Sequence, residues 1–368
     1  MPGTDTDPPS SAEQTLDLLL AAAADNPTGF TTLCSEVKAW DEIFQAALMH
    51  GVEAYLYGRV MKAGIRLPAE LGQRTERWLV IRNVWQSHLE ATLHDVLGIL
   101  ELAGVKAIAL KGPLLGERVY PEPRHRPSAD LDVMVGRSDL DKATNALAKI
   151  GYRPLNDAQE RFLRTYHYHT ILSRSCPPVI ELHFCLSESF GVMIPAEDFL
   201  SRASRYCTAR GTVTYVLAPE DELLYLAIHA AGHRFVRLSW LCDIQLLLRR
   251  HPDLDWTIVI TRARKFHVLS PFLFTCDTLR RRLGATIPDF GKEMTQRFRY
   301  RIANLLLSVS AGQPDPSRRS LISKMAFTAA LCDRPNAAIR FVRRQFLLFT
   351  RRRAHRHFPS LTPEEWSY

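Results

Sequence analysis

The sequence contains no Cys-x-x-Cys pair: its seven cysteines (34, 176, 185, 207, 242, 276 and 332) are scattered. An odd, unpatterned set excludes a disulfide framework or a zinc ribbon and is what a reduced cytoplasmic protein carries. Long apolar runs are also missing. A membrane helix needs ~20 consecutive apolar residues, and the longest candidate, Leu16–Ala24, falls well short. That segment follows acidic residues where a secretory signal would place basic ones, so neither a membrane span nor a signal peptide is expected. There is no internal repeat and no low-complexity tract. Apolar residues make up 46% and charged residues 23% of the 368, close to globular averages, which excludes a disordered or fibrous chain. The length suggests two or three domains.

Acidic residues are scarce in one region only. Between Thr261 and His357 there are 5 against 21 basic ones, whereas Met1–Ile260 holds 32 against 26 and the last eleven residues add two more acids. The net charge of +8 therefore hides a basic C-terminal half, which points to an anionic partner or simply to a solvated arginine-rich surface. Arg340 to Arg356 carries seven arginines, no acid, and Phe341, Phe346 and Phe349 at helical spacing. That pattern predicts a basic amphipathic helix whose aromatic side chains either stack on bases or dock the helix onto a core.

Four segments follow from the pattern. Residues 1–12 are polar and proline-bearing and are expected to be a disordered tail. Residues 13–103 read as helices, broken at Asn26-Pro27-Thr28-Gly29 and at Gly51 and ending in a long helix from about Glu70 to Ala103. From 104 to 217 short apolar runs alternate with helices: strands at Val105–Leu110, Asp130–Val135, Tyr166–Leu172 and Val179–Cys185, and helices at Pro113–Val119 and Asp139–Ile150. The last two strands are joined by Ser175-Cys176-Pro177-Pro178, which reads as a hairpin. Residues 218–368 return to helix. The predicted class is an α/β (α+β) fold, a mixed sheet flanked by N-terminal and C-terminal helical segments.

Three strings in the α/β segment carry chemistry. Leu110-Lys111-Gly112 ends a strand and opens a helix, where glycine lets a phosphate approach the backbone and helix N–H groups face it. Asp130-Leu131-Asp132 lies on a strand, whose period of two puts both carboxylates on one face. Glu181, in Val179-Ile180-Glu181-Leu182-His183, stands among apolar neighbours, a costly setting unless it is paired or metal-bound. Two adjacent carboxylates backed by a third suit hard divalent cations that keep substrate phosphates in their shell. Each string alone has an ordinary reading: a solvated strand edge, loop punctuation, a glutamate satisfied by arginine. His229 and His233 share a helix face, but no third zinc ligand stands near them in sequence, which leaves helix packing or a wall of an acceptor site. His167 and His169 alternate on a strand and either sit exposed or face Glu181 and His183.

Leu110-Lys111-Gly112, Tyr120-Pro121, Arg126 to Val135 (R-x-x-x-D-x-D-x-x-V), Glu181-Leu182-His183, His229…His233 and Trp240-Leu241-Cys242-Asp243 together resemble the nucleotidyltransferases of the DNA polymerase β superfamily. The likeness is greatest to an uncharacterised bacterial branch and runs from about residue 30 to about 366. It implies transfer of a nucleoside monophosphate from an NTP to an acceptor hydroxyl, with pyrophosphate released. Asp130, Asp132 and Glu181 would be the catalytic metal ligands for Mg²⁺ (or Mn²⁺), and Lys111, Gly112, Arg126 and Ser128 would bind the nucleotide. His183, His229, His233 and Asp243 would line an acceptor site. Pro113 stands where the superfamily usually has a small residue with a free N–H, which leaves phosphate contacts to Lys111, Ser128 and Arg126. The acceptor class (RNA or tRNA, a peptide reached through the basic half, or a small molecule) stays open. So do two rival readings, an inactive scaffold of this fold and a nucleic-acid-binding protein.

Overall fold

Short apolar strands with β-branched residues pair when both of their faces can be covered. In the computed structural model, which describes residues 11–24, 27–186, 189–290, 300–306 and 321–354, they form a six-stranded mixed sheet. The strands are β1 (Ala107–Ala109), β2 (Leu131–Val135), β3 (His169–Leu172), β4 (Ile180–His183), β7 (Ser204–Cys207) and β8 (Val213–Val216), in the order β3-β4-β2-β1-β8-β7. A two-stranded ribbon, β5 (Cys185–Leu186) with β6 (Ile194–Pro195), lies apart. The pairs β2–β4 and β1–β8 run parallel and the others antiparallel. The mixed α+β class expected from the sequence is the class observed.

The N-terminal helices are α1 (Ser11–Ala24), α2 (Pro27–Glu36), α3 (Trp40–His50), α4 (Glu53–Lys62) and α5 (Ala69–Leu102). Gly51 ends α3 in the left-handed conformation, where the sequence placed a break. Between strands lie α6 (Pro113–Val119), α7 (Leu140–Ala148), α8 (Asp157–Tyr166) and α9 (Glu197–Leu200). Then come α10 (Pro219–Gly232), α11 (Leu238–Arg250), α12 (Trp256–Lys265), α13 (Leu269–Leu283), α14 (Leu321–Leu331) and α15 (Pro335–Ala354). Helix α8 is not foreseen by the apolar pattern. Its cap is nevertheless written in the sequence: Asn156 accepts a hydrogen bond from the Gln159 N–H at 2.8 Å, an Asn-x-x-Gln start. By extending to Tyr166 it shortens β3, so His167 precedes the strand.

Alternation divides the sheet faces. Leu131, Val133 and Val135 pack with Leu93 and Val96 of α5 and Ala143 and Leu147 of α7. On the opposite face Ile108 and Met134 join a second cluster that runs from Leu18 and Phe30 through Leu224 and Phe272 to Ala337. One core thus links the segments 13–103, 104–217 and 218–368. All seven cysteines are free thiols. Among the described residues no helix is long and apolar enough to cross a membrane.

The basic helix α15 docks through its first half: Ala337 and Phe341 are buried while Arg340 and Arg343 stay exposed. The side chains of Arg344, Phe346, Phe349, Arg351, Arg352, Arg353 and Arg356 lie outside the described residues, as do residues 1–10 and 355–368. The docking depends on Gly191, whose φ is +67° and on which a Cβ would stand 2.0 Å from the Ala337 carbonyl oxygen. Gly191→Ala combines a left-handed conformation that costs ~1–2 kcal/mol with a backbone clash. It is expected to lower the melting temperature and to expose α15 to limited proteolysis; an unchanged digestion pattern would count against this docking.

Candidate active site

The register of β2 against β4 sets the site. Asp132 pairs with Glu181 and Met134 with His183 across the parallel pair, and His169 pairs with His183 across β3–β4. Paired residues share a face, so Asp132, Glu181, His183 and His169 converge on the side of the sheet away from α5. Asp130 sits half-buried one residue ahead of β2, on the same parity as Asp132. His183 Nε2 lies 3.0 Å from Asp132 Oδ1 and 3.5 Å from Glu181 Oε2, and His169 Nε2 lies 4.0 Å from Glu181 Oε2. His169 is thus buried at the site and not an exposed strand histidine.

Lys111 and Gly112 follow β1 after one residue, Leu110. The Lys111 Nζ stands 3.1 Å from Asp132 Oδ2. Gly112 adopts φ 74°, ψ −147°, a region open essentially to glycine alone, and this reverses the chain between β1 and α6 beside Ser128.

The electrostatics separate the carboxylates. Burial favours the neutral form of Asp132, but the Lys111 ammonium and the His183 hydrogen bond overcome it and hold this carboxyl well below the usual range. Asp130 moves the other way: burial, then the charge of Asp132, raise it to about 6 despite Lys111. Burial also works against the charge on Glu181, yet the His183 hydrogen bond and the His169 ring keep this carboxyl lowered. On His183 burial is outweighed by the bonds to Asp132 and Glu181, which raise it to about 9. His169, where burial dominates, falls to about 4.

Arg126 and Asp243 sit behind this cluster. Asp243 on α11 is fully enclosed, with 0% exposure. Arg126 Nε and Nη2 donate to its two oxygens, each at 2.9 Å, and the Tyr120 hydroxyl donates to Oδ1 at 2.7 Å. An enclosed carboxylate with both oxygens engaged offers nothing to an acceptor, so the expectation that Asp243 lines the acceptor site is corrected. Arg126, itself buried, spends its fork on Asp243 and donates from Nη1 to Ser128 Oγ at 2.9 Å, which makes it a strut beneath Ser128 and not a free phosphate ligand. Trp85 Nε1 and Gln86 Nε2 of α5 donate to the Ser128 carbonyl at 3.2 and 2.9 Å. The loop carrying the Asp130 approach is therefore fixed from two sides.

His229 and His233 stand together, ring centroids 4.6 Å apart, and both face Trp240 of α11, at 5.1 and 5.0 Å. Burial, then Lys111 and His233, keep the His229 imidazole far below its ordinary pKa, and its Nε2 is buried without a hydrogen-bond partner. The Trp240 ring packs against both histidines and closes a cluster of three rings. Its signal in the sequence is only its spacing of seven from His233, through a turn no periodicity predicts.

No curated protein matches the chain significantly. The sequence profile of a family described as uncharacterised nucleotidyltransferase matches residues 36–284, about two thirds of the chain and the whole of the sheet, α10 and α11. With these strands and this cluster within the matched span, the chain belongs to that nucleotidyltransferase family and is by membership a transferase acting on an NTP.

Proposed function

We propose that the chain transfers a nucleoside monophosphate from an NTP to an acceptor hydroxyl. The acceptor oxygen attacks the α-phosphorus, the bond from that phosphorus to the β-phosphate oxygen breaks, and pyrophosphate leaves with the bonding electrons. The single observation that supports this most is the pairing of Asp132 with Glu181, on one sheet face, with Lys111 Nζ 3.1 Å from Asp132. The donor set suits a hard dication: Asp130, Asp132 and Glu181 offer oxygens only, and the burial and neighbouring Asp132 charge that raise Asp130 are what such an ion offsets. Bound there, Mg²⁺ (or Mn²⁺) supplies charge neutralisation on the triphosphate.

The chain's own residues do the positioning. Asp130, Asp132 and Glu181 would hold the dication, and Glu181 would favour loss of the hydroxyl proton to water. Lys111 offsets charge on the phosphates that reach past Gly112. Arg126, locked on Asp243, holds Ser128 in place. His229, His233 and Trp240 form the wall an acceptor meets, with neutral imidazoles that can donate or accept hydrogen bonds. As in other phosphoryl transfers, positioning and electrostatics account for most of the rate. The basic C-terminal half is the surface that would hold an anionic acceptor such as RNA.

Metal removal tests the reading. Pyrophosphate release from the preferred NTP, in cell extract supplying acceptors, is expected to stop with excess EDTA and to return with Mg²⁺ or Mn²⁺. Release that persists in the chelator would contradict it.

A further inference from the structure

We propose that His169, Glu181 and His183 form a mixed nitrogen–oxygen cation site that takes a first-row transition dication, Zn²⁺ or Co²⁺ in preference to Mg²⁺. This rests on the site proposed above and names which of its ligands are not carboxylates. One ligand atom from each of the three residues lies within 4.8 Å of the other two. Glu181 Oε2 is 3.5 Å from His183 Nε2 and 4.0 Å from His169 Nε2. A tetrahedral ion with bonds of ~2.1 Å spaces its ligands roughly 3.4 Å apart, and the two pairs through Glu181, at 3.5 and 4.0 Å, stand close to that spacing.

The surroundings favour this ion class. The side chains of His169 and His183 are 9% and 5% exposed, whereas that of Glu181 is 28% exposed. The nitrogens are therefore shielded while the carboxylate side opens to solvent, which leaves a coordination position for water or a substrate oxygen. The Nδ1 atoms of both rings are buried without a hydrogen-bond partner, and His183 Nε2 also lies 3.0 Å from Asp132 Oδ1, so an ion bound at Nε2 takes the place of that contact and releases a proton. Imidazole nitrogens suit zinc and its neighbours, while Mg²⁺ prefers oxygen and retains water. Among the described residues His229 and His233 have no third ligand of the kind this triplet has. Glu181 would then be shared between this position and the Mg²⁺ held with Asp130 and Asp132, and the two positions differ in chemistry.

The experiment uses the metal-free full chain. Co²⁺ is titrated in and followed by its visible ligand-field bands and by calorimetry, with and without millimolar Mg²⁺. One tight Co²⁺ per chain, not displaced by Mg²⁺, is expected. His169→Ala and His169→Gln should weaken it by more than the roughly 10–100-fold that changes around a ligand shell cost, and Asp130→Asn should not. Circular dichroism confirms that the variants fold. Zinc-edge X-ray absorption of the loaded wild type, which needs no variant, should show two imidazole shells. An oxygen-only shell, or Co²⁺ affinity unchanged in folded His169→Ala, overturns the proposal while leaving Mg²⁺-dependent nucleotide transfer intact. Imidazole-bound Co²⁺ without nucleotide transfer from any NTP would instead support this site and remove the function proposed above.

Discussion

Asp132→Asn is expected to reduce nucleotide transfer by about 10³-fold or more, the scale on which one charge-stabilising group acts in phosphoryl transfer. The same change should lower the melting temperature in metal-free buffer. Strand parity alone suggests the opposite, because removing one of three neighbouring carboxylates relieves repulsion. In the folded chain, however, Asp132 is the compensated one: Lys111 Nζ is 3.1 Å and His183 Nε2 3.0 Å from its oxygens. Its removal strands a largely buried ammonium. Asp130 bears the repulsion, raised to about 6 by burial and by Asp132. A carboxyl whose folded pKa lies above its unfolded value loses stability as pH rises between the two. The advantage of Asp130→Asn over wild type should thus grow from near zero at pH 4 to its full size above pH 6. Two units correspond to roughly 3 kcal/mol at most. Both variants lose transfer; thermal melts in chelator separate them, and a stabilised Asp132→Asn would contradict the pairing described here.

Breaking the enclosed pair beneath the site should have the largest effect on stability. Arg126→Ala leaves the Asp243 carboxylate, at 0% exposure, with only the Tyr120 hydroxyl. An uncompensated buried charge costs about 3–5 kcal/mol. Asp243→Ala should be comparable, because Arg126 is then left buried without its carboxylate. The double change Arg126→Met with Asp243→Leu should recover much of the loss, since an apolar pair of similar volume removes both charges at once. Urea denaturation of the wild type, Arg126→Met, Asp243→Leu and the double variant checks this, and purely additive losses would show that the pair is not coupled. Activity should stay low in the double variant, because Ser128 loses the hydrogen bond from Arg126 that anchors it.

Much of this was legible in the sequence because strands and helices have fixed periods. The Asp-x-Asp spacing puts Asp130 and Asp132 on one face, and Leu110-Lys111-Gly112 marks a strand end. Pairing across distance was less legible: nothing in the period of β2 says that Asp132 meets Glu181, and the hairpin left open whether His169 faces Glu181 and His183 or solvent. The role of Asp243 was misread although its signal was present. It sits in Leu241-Cys242-Asp243-Ile244, as deeply apolar as the setting of Glu181, and the reasoning that flagged a paired or metal-bound Glu181 applied equally to it. Arg126, assigned to phosphate, is the partner that resolves it. Helix α8 was missed because its mean hydropathy is low and only Leu163 is buried, so its cap was a better guide than its apolar spacing.

The decisive measurement follows the phosphorus. Wild-type chain and Asp132→Asn are incubated with Mg²⁺, cell extract and each NTP, labelled in parallel at the α- and at the γ-phosphate. Acceptor-bound α-label from at least one NTP is the expected result, with γ-label recovered only as pyrophosphate and neither reaction seen in Asp132→Asn. Transfer of γ-label to the acceptor, or α-label attached equally by the variant, would contradict nucleotide transfer at this carboxylate cluster.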